Sequence, residues 1–479
     1  MRRYSWFSIL LFLLPLLAPP LSASAATGSY CQLNPQAIAL KDNLRKKAIA
    51  GDVNAQREYD KLLKQHADWL YNCRRQHWLK EQAIWLRLYP CDVKPGALDE
   101  VLDQIVNMGY NTVYLEVFFD GRVLLPKSQN TTVWPSVIDM PGYENRDLLA
   151  ETLEKGRKRG LKVYAWLFSL NFGYLYSQRP DRQHVLARNG RNQTSIEFVH
   201  DQSQAFVDPY NRQAIQDYNQ MLQLVLQRRP DGVLFDYIRY PRGTGQDSVV
   251  GKVKDLWIYS PASREALLAR ARNKQGRWLL ETYIDKGFIT AEDLNQMRQL
   301  FPDEITPLWQ GRNPTSPESD TLANLQIELW YFTVAHAAQG VINFLDFVTS
   351  QVRQRGIPAG AVFFPEGNQA VGDIGFDSRL QPWDSFPQTL EWHPMSYALC
   401  GNPLCIVEQV KRVAEVAQNR RNVKPVLAGF WGRNDGQRPS LESQMEAIRS
   451  RLPDIQSISH FAYSWIQPEH ARKRQSCRL

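Results

Sequence analysis

The chain predicts an α/β protein built on a closed (β/α)8 barrel. Two observations carry that prediction. Eight short apolar runs recur from residue 83 onward, at 83–89, 111–118, 161–168, 231–236, 359–365, 389–395, 424–430 and 457–463. Amphipathic helical stretches lie between them, at 97–107, 145–159, 211–228, 322–355, 405–419 and 440–450. Strand–helix alternation implies parallel strands joined by right-handed crossovers, and eight such strands close a barrel. A doubly wound open sheet is the alternative. It usually carries a Gly-rich phosphate loop after its first strand, and this chain has none there.

The N-terminus reads as a secretory signal peptide over 1–26. Arg2 and Arg3 precede an apolar run from Trp6 to Leu17, and small residues follow with an A-x-A pattern at Ala23 and Ala25. The run is short and broken by Pro15, so a permanent membrane span is the weaker reading. Residues 27–80 form a helical extension, a hairpin interrupted at Gly51-Asp52. The barrel occupies 81–479 and contains a long insertion, 243–321, after strand four. That insertion has helical patterns at 262–283 and 291–299 and is expected to sit over the barrel mouth. Little chain follows Tyr463, so the N-terminal hairpin is expected to cover the place of an eighth helix.

Export changes how the six cysteines read. An even number in an oxidising compartment points to disulfides, with Cys400–Cys405 the first pair expected and Cys31–Cys73 a staple of the helical extension. The net charge of +8 is mild for 479 residues, and there is no nucleic-acid motif. No His, Asp or Glu cluster has metal-ligand spacing, so no metal or other cofactor is expected.

The segment DGVLFDYIRYP, 231–241, concentrates the chemistry. An apolar strand ends in Asp236 and is followed by Tyr237, Arg239 and Tyr240. Other strand ends supply Glu116 and Asp120, Trp166, Glu366, His393 and Tyr397, Trp431, and Trp465. Acids and aromatic rings on one rim suit sugar chemistry: two carboxyl groups divide acid and base or nucleophile roles, and rings stack on pyranose faces. Asp236 is expected to be the ionised catalytic carboxylate and Glu366 the acid/base. Glu116, Asp120, Trp166, Tyr237, Arg239, Tyr240, His393, Tyr397, Trp431 and Trp465 are the expected substrate-binding residues. Bland readings stand beside these. Glu116 also suits an interior ion pair with Arg87 or Arg239, His393 a structural histidine, and Trp431 and Trp465 core positions. Asp208 reads as a helix-start residue before 211–228.

Four stretches carry a family resemblance: 207–241 with its Asp-Tyr-x-Arg-Tyr-Pro run, MGYNTVYLEV at 108–117, GLKVYAW at 160–166 and HPMSY at 393–397. Together they resemble the glycosyl-hydrolase-like family 10 proteins, which are distinct from the family 10 xylanases, and the Trp/Gln-rich C-terminal half with the export signal is similar to cyanobacterial members. The resemblance implies a TIM barrel acting on envelope or extracellular glycans, and carries over to Asp236, Arg239, Tyr240 and Pro241. Phe118, Arg122 and Phe168 depart from the family pattern. The expected function is therefore an exported glycoside hydrolase, in the periplasm, cell envelope or outside the cell, acting on a polysaccharide or peptidoglycan glycan. The partners expected include no nucleic acid, and no membrane span remains after signal removal. The alternative is a non-catalytic glycan-binding barrel of the envelope. A structural envelope protein that docks a partner through 243–321 is a third reading.

Overall fold

A computed structural model describes residues 30–199, 201, 203–314 and 320–476, so the signal-peptide segment and Cys477 lie outside the described residues. Eight parallel strands form one closed sheet: β1 (Glu81–Leu86), β2 (Thr112–Phe119), β3 (Lys162–Phe168), β4 (Gly232–Asp236), β5 (Ala359–Phe363), β6 (Glu391–Ser396), β7 (Val426–Ala428) and β8 (Ser457–Phe461). Each pairs with the next, and β1 pairs with both β2 and β8, which closes the barrel.

The helices of eight or more residues are, in order, α1 (Pro35–Ile49), α2 (Val53–Gln76), α3 (Ala97–Asn107), α4 (Leu148–Lys158), α5 (Arg212–Gln227), α6 (Pro261–Leu268), α7 (Lys274–Lys286), α8 (Ala291–Leu300), α9 (Leu322–Arg353), α10 (Leu404–Val416), α11 (Leu441–Arg451) and α12 (Pro468–Gln475). The break between α1 and α2 falls at Gly51-Asp52, because the Asp52 carboxylate accepts the Asn54 and Ala55 amides and starts a new helix. The stretch 262–283 is two helices, not one. Asn273 caps the second by accepting the Gly276 amide, and its side chain also accepts from Leu308.

The barrel interior is layered. At its base, Lys424 bridges Glu81 and Glu391, with Nζ–O distances of 3.1 and 2.8 Å. Burial opposes charge on Glu391, yet His393 and Lys424 hold it down at about 2. Above this pair lie Tyr114, Tyr164 and His393, with Tyr114 edge-on to His393 at 5.3 Å. Gly232 makes room for the Tyr164 ring; a Cβ there would lie 2.2 Å from it. The next layer up holds Trp85, Trp166 and Phe461, with Trp85 and Trp166 edge to face at 4.7 Å. The buried Trp85 and Trp166, removed from water, each stabilise the fold by roughly 1.5–3 kcal/mol.

The helical hairpin docks through a buried charge network. Asp103 of α3 accepts from Arg45 of α1 at 2.7 Å, Tyr59 of α2 at 2.8 Å and Arg159 at 2.9 Å. Burial opposes ionisation of Asp103, but Arg159 and Lys41 and the Arg45 and Tyr59 hydrogen bonds hold its pKa below the usual value. Cys31–Cys73 ties the start of the described chain to α2, Cys400–Cys405 closes a short loop, and Cys91 is also disulfide-bonded. These bonds fit an oxidising compartment. Among the described residues no helix is long and apolar enough to cross a membrane.

Two expectations about the periphery change. The chain after β8 does form a helix: α12 is anchored by Arg474, whose Nε and Nη2 lie 2.7 and 2.6 Å from Asp92 after β1. The outer face of β8 is covered by Trp431 and Tyr30, while α2 packs on α3 and α4. The insertion is tied to the rim loops after β3 and β5. Its residues 249–250 pair with 375–377 after β5, and Gly190 after β3 donates to the Lys254 carbonyl.

Candidate functional site

A cavity of about 250 Å3 opens at the carboxyl ends of the strands. Its walls come from Trp85, Arg87 and Tyr89 on the β1 side, Glu116 on β2, Trp166 on β3, and the segment from Phe461 to Gln475. The insertion contributes no wall residue. One wall is α12, through Ala471, Arg474 and Gln475.

Glu116 reaches the cavity because it lies on the inward face of β2, two residues above Tyr114. Just beyond it the β2–β3 register shifts between Glu116 and Phe118. Phe118 therefore leaves the inward phase and packs outside, against Trp134 at 4.7 Å and Tyr218 of α5 at 6.1 Å. Glu116 is 1% exposed. The Arg87 Nη2 donates to it at 2.9 Å, Arg87 Nε also donates to it, and Arg87 Nη1 lies 3.6 Å from Asp120. One guanidinium thus serves two carboxylates. Burial raises Glu116 to about 7 against the pull of Arg87, with Asp120 and Asp236 adding to the rise.

Asp236 ends β4 on the same inward face. It is 7% exposed. Its Oδ2 accepts the Trp166 indole N–H at 3.1 Å and its Oδ1 accepts the Tyr237 amide at 2.6 Å. Burial raises it to about 6, opposed by the Tyr237 amide, the Arg239 charge and the Trp166 indole. Tyr237 takes the left-handed region, with φ of 53°, and so does Asp120, with φ of 49°. For a tyrosine that conformation costs about 1–2 kcal/mol. It turns the chain sharply after Asp236 and lays the Tyr237 ring on Phe168 at 4.3 Å. The loop after β3 presses close to the β2 end: at Gly173 a Cβ would lie 2.0 Å from the Gly121 nitrogen, so only glycine fits.

The remaining mouth residues frame this pair. Arg239 is stacked over the Tyr237 ring at 4.6 Å, with Nη1 donating to the Tyr240 carbonyl at 2.8 Å. Tyr397 lies 6.0 Å from Phe461 and feels the Asp236 charge. Trp465 lines the cavity beneath Arg438, whose guanidinium is 5.3 Å from its ring. Asp120 is more open, its side chain 42% exposed. Burial raises its pKa, against Arg87.

Four residues expected at the site lie elsewhere. Glu366, in the turn after β5, accepts from Gln409 of α10, so its carboxylate is drawn to the helix layer. Tyr240 is fully buried outside the barrel, its hydroxyl donating to the Ala337 carbonyl of α9 at 3.1 Å. His393 is fully buried in the layer below the mouth, 3.4 Å from Glu391; burial lowers its pKa, against Glu391. Trp431 turns back outside the barrel and donates to Tyr110 at 3.2 Å. Asp208 does not cap α5, whose cap is Asn211. It accepts instead from Ser260 and Ser263 at the start of α6, at 2.7 and 2.9 Å, tying the insertion to the β3 loop. Arg438 and Arg474 went unmarked, because nothing local in their sequence points to the rim. Among the described residues no group of three or more His, Cys, Asp or Glu could hold a metal.

Glycosyl hydrolase DigH of Escherichia coli strain K12 is 29% identical over 172 residues, covering 32% of this chain and 36% of that protein's own length. The chain thus spans about a third of the curated relative. An inactive mutant of the exo-β-N-acetylglucosaminidase of Vibrio harveyi aligns at 10% identity with a TM-score of 0.39, over 83% of this chain and 52% of that one. The β-N-acetylhexosaminidase of Bacteroides fragilis aligns at 8% identity with a TM-score of 0.40, over 81% and 60%. The resemblance drawn from the motifs is a match to the family model described as glycosyl hydrolase-like 10 over residues 64–278, the part of the chain that holds β1 to β4 and with them Arg87, Glu116, Trp166 and Asp236.

Proposed function

We propose that the protein is an exported glycoside hydrolase that cleaves a polysaccharide or a peptidoglycan glycan strand, with Glu116 and Asp236 as its two catalytic carboxyl groups. The observation that supports this most is their shared environment. Both are buried at one mouth and raised by that burial, to about 7 and about 6. Between those values the pair holds roughly one proton, so an acid and a base stand together. Glycosidic cleavage needs that combination. Glu116, the higher of the two, protonates the leaving oxygen. Asp236, ionised, stabilises the oxocarbenium-like transition state as nucleophile or as base for water. Trp166 and Trp465 offer ring faces, and Tyr237, Tyr397 and Arg239 hold polar substituents. Glu366 takes no part in this reading, because its carboxylate is engaged by Gln409.

One observation favours the second reading, a glycan-binding barrel that does not cut. Arg87 donates to both oxygens of Glu116, which favours its ionised form. Counting new reducing ends on peptide-free peptidoglycan glycan and on a polysaccharide panel separates the two. Wild type and Glu366→Gln are expected to release them, and Asp236→Asn and Glu116→Gln to lose roughly 100-fold or more. Binding without new reducing ends supports the second reading. Full activity in both Asp236→Asn and Glu116→Gln overturns the assignment.

A further inference from the structure

The cavity lies on one side of the mouth. Its walls come from β1, β2, β3 and the chain from the end of β8 onward, and among the described residues none comes from β4 to β7. Trp85, Trp166 and Phe461 give it an aromatic floor, with ring centroids 4.7, 6.2 and 6.4 Å apart. Trp465 stands edge-on to Phe461 at 6.1 Å. Toward β4 the boundary is Trp166, whose indole N–H reaches Asp236. Glu116 is a wall residue and Asp236 lies just past Trp166, so a bond held between the two carboxyl groups sits at the β4 edge of the cavity.

The far side, by β8 and β1, is closed by α12, through Ala471, Arg474 and Gln475. That wall is held from inside the fold. The buried Arg474 spans the buried Asp92 carboxylate and also donates through Nη2 to the Arg87 carbonyl at 2.9 Å. Gln475 Nε2 donates to the Tyr89 hydroxyl at 2.7 Å. Arg87 therefore meets the end wall through its carbonyl and Glu116 through its guanidinium. The space enclosed is about 250 Å3. Pockets that take drug-sized ligands run to roughly 300–1,000 Å3. This one has room for a terminal sugar ring and not for a strand passing through.

We propose that the protein recognises the end of a glycan: the terminal sugar seats in this cavity against α12, and cleavage falls on the bond that joins it to the rest of the chain. This rests on the hydrolase reading of the mouth and narrows it from glycans in general to their ends. The aromatic floor stacks on the apolar face of one pyranose ring. The rest of the chain leaves across β4 and β6, over Tyr237 and Tyr397. Glu116 gives its proton to the leaving oxygen as the glycosidic C–O bond breaks. Water supplies the hydroxyl that the anomeric carbon takes, and its remaining proton returns to the carboxyl pair.

The test follows the early products of the full chain on peptide-free peptidoglycan glycan strands of graded length and on a polysaccharide panel. Single sugars are expected, with each strand shortening step by step. Strands of intermediate length appearing first overturn the proposal. Binding is measured separately, by calorimetry on Asp236→Asn, whose altered side chain is not a wall residue. Affinity should level off within the first few sugars and fall by roughly tenfold or more when the bound end carries a bulky blocking group. Blocking each end in turn identifies the one that enters. Affinity that keeps climbing with length, indifference to blocking at both ends, or no binding at all overturns the proposal. Ala471→Leu enlarges a wall side chain and should weaken binding of the shortest glycans by roughly tenfold. Its thermal unfolding is checked against wild type, and unchanged affinity in the folded variant counts against the site. No product from any strand, with end-dependent binding intact, sinks the hydrolase reading and leaves the end site standing; internal cleavage does the reverse.

Discussion

The Trp166 indole donates to Asp236 Oδ2 at 3.1 Å, so a wall of the cavity is also a hydrogen-bond donor to a buried acid. A hydrogen bond to the charged form favours ionisation. Trp166 thereby opposes the burial that raises Asp236 to about 6. Trp166→Phe keeps a ring in the wall and removes the N–H. The Asp236 pKa is expected to move further up, and the acidic limb of the rate profile with it. Relative to wild type, glycan cleavage should fall several-fold at pH 6, and the difference should shrink as pH rises. A steady-state pH series on this variant checks the shift.

Asp103 joins α1, α2 and the end of α4 to α3 through Arg45, Tyr59 and Arg159. Asp103→Asn removes the buried charge shared by Arg45 and Arg159, which keep only the more exposed Asp42 and Asp99, and should cost about 3 kcal/mol. The sign with pH follows from the depressed folded pKa of Asp103. Its contribution is fully present above the ordinary carboxylate pKa and is lost as pH falls through the lower folded value. Wild type should therefore exceed Asp103→Asn in denaturant midpoint at pH 7, and the gap should narrow on acidification.

The C-terminal wall depends on Arg474, which holds α12 to Asp92 with two contacts of 2.7 and 2.6 Å. Arg474→Met keeps the aliphatic stem and leaves Asp92 buried without its cation. The wall should loosen, so KM should rise by roughly tenfold with a smaller change in kcat, read from initial rates on a soluble glycan. An unchanged KM would show that α12 does not shape the cavity in solution.

Barrel and helices were legible because strands buried on both faces must read as apolar runs, and the helices between them keep their own period. Asp236 was legible for a related reason: the strand stops being apolar where it reaches the rim. Glu116 was legible in phase, through its alternation with Tyr114, and of the two partners that phase suggested, Arg87 and Arg239, the structure pairs it with Arg87. What failed was direction and depth. His393 shares a face with Glu391 two residues earlier, and both point inward, yet the strand's height in the barrel places them below the mouth. Glu366 and Trp431 lie in turns, where the side chain is aimed by a tertiary contact, Gln409 in one case and Tyr110 in the other. Tyr240 follows a left-handed turn at Tyr237, which redirects the chain toward α9.

The pH dependence of kcat/KM for glycan cleavage tests the Glu116–Asp236 pair most directly. A narrow bell is expected, its acidic limb near 6 as Asp236 gains a proton and its basic limb near 7 as Glu116 loses one. Asp236→Asn should erase the acidic limb from whatever activity remains, and Glu116→Gln the basic limb. A wild-type profile that stays flat from pH 5 to 8 would contradict a shared proton at this mouth, as would limbs that survive unmoved in both variants.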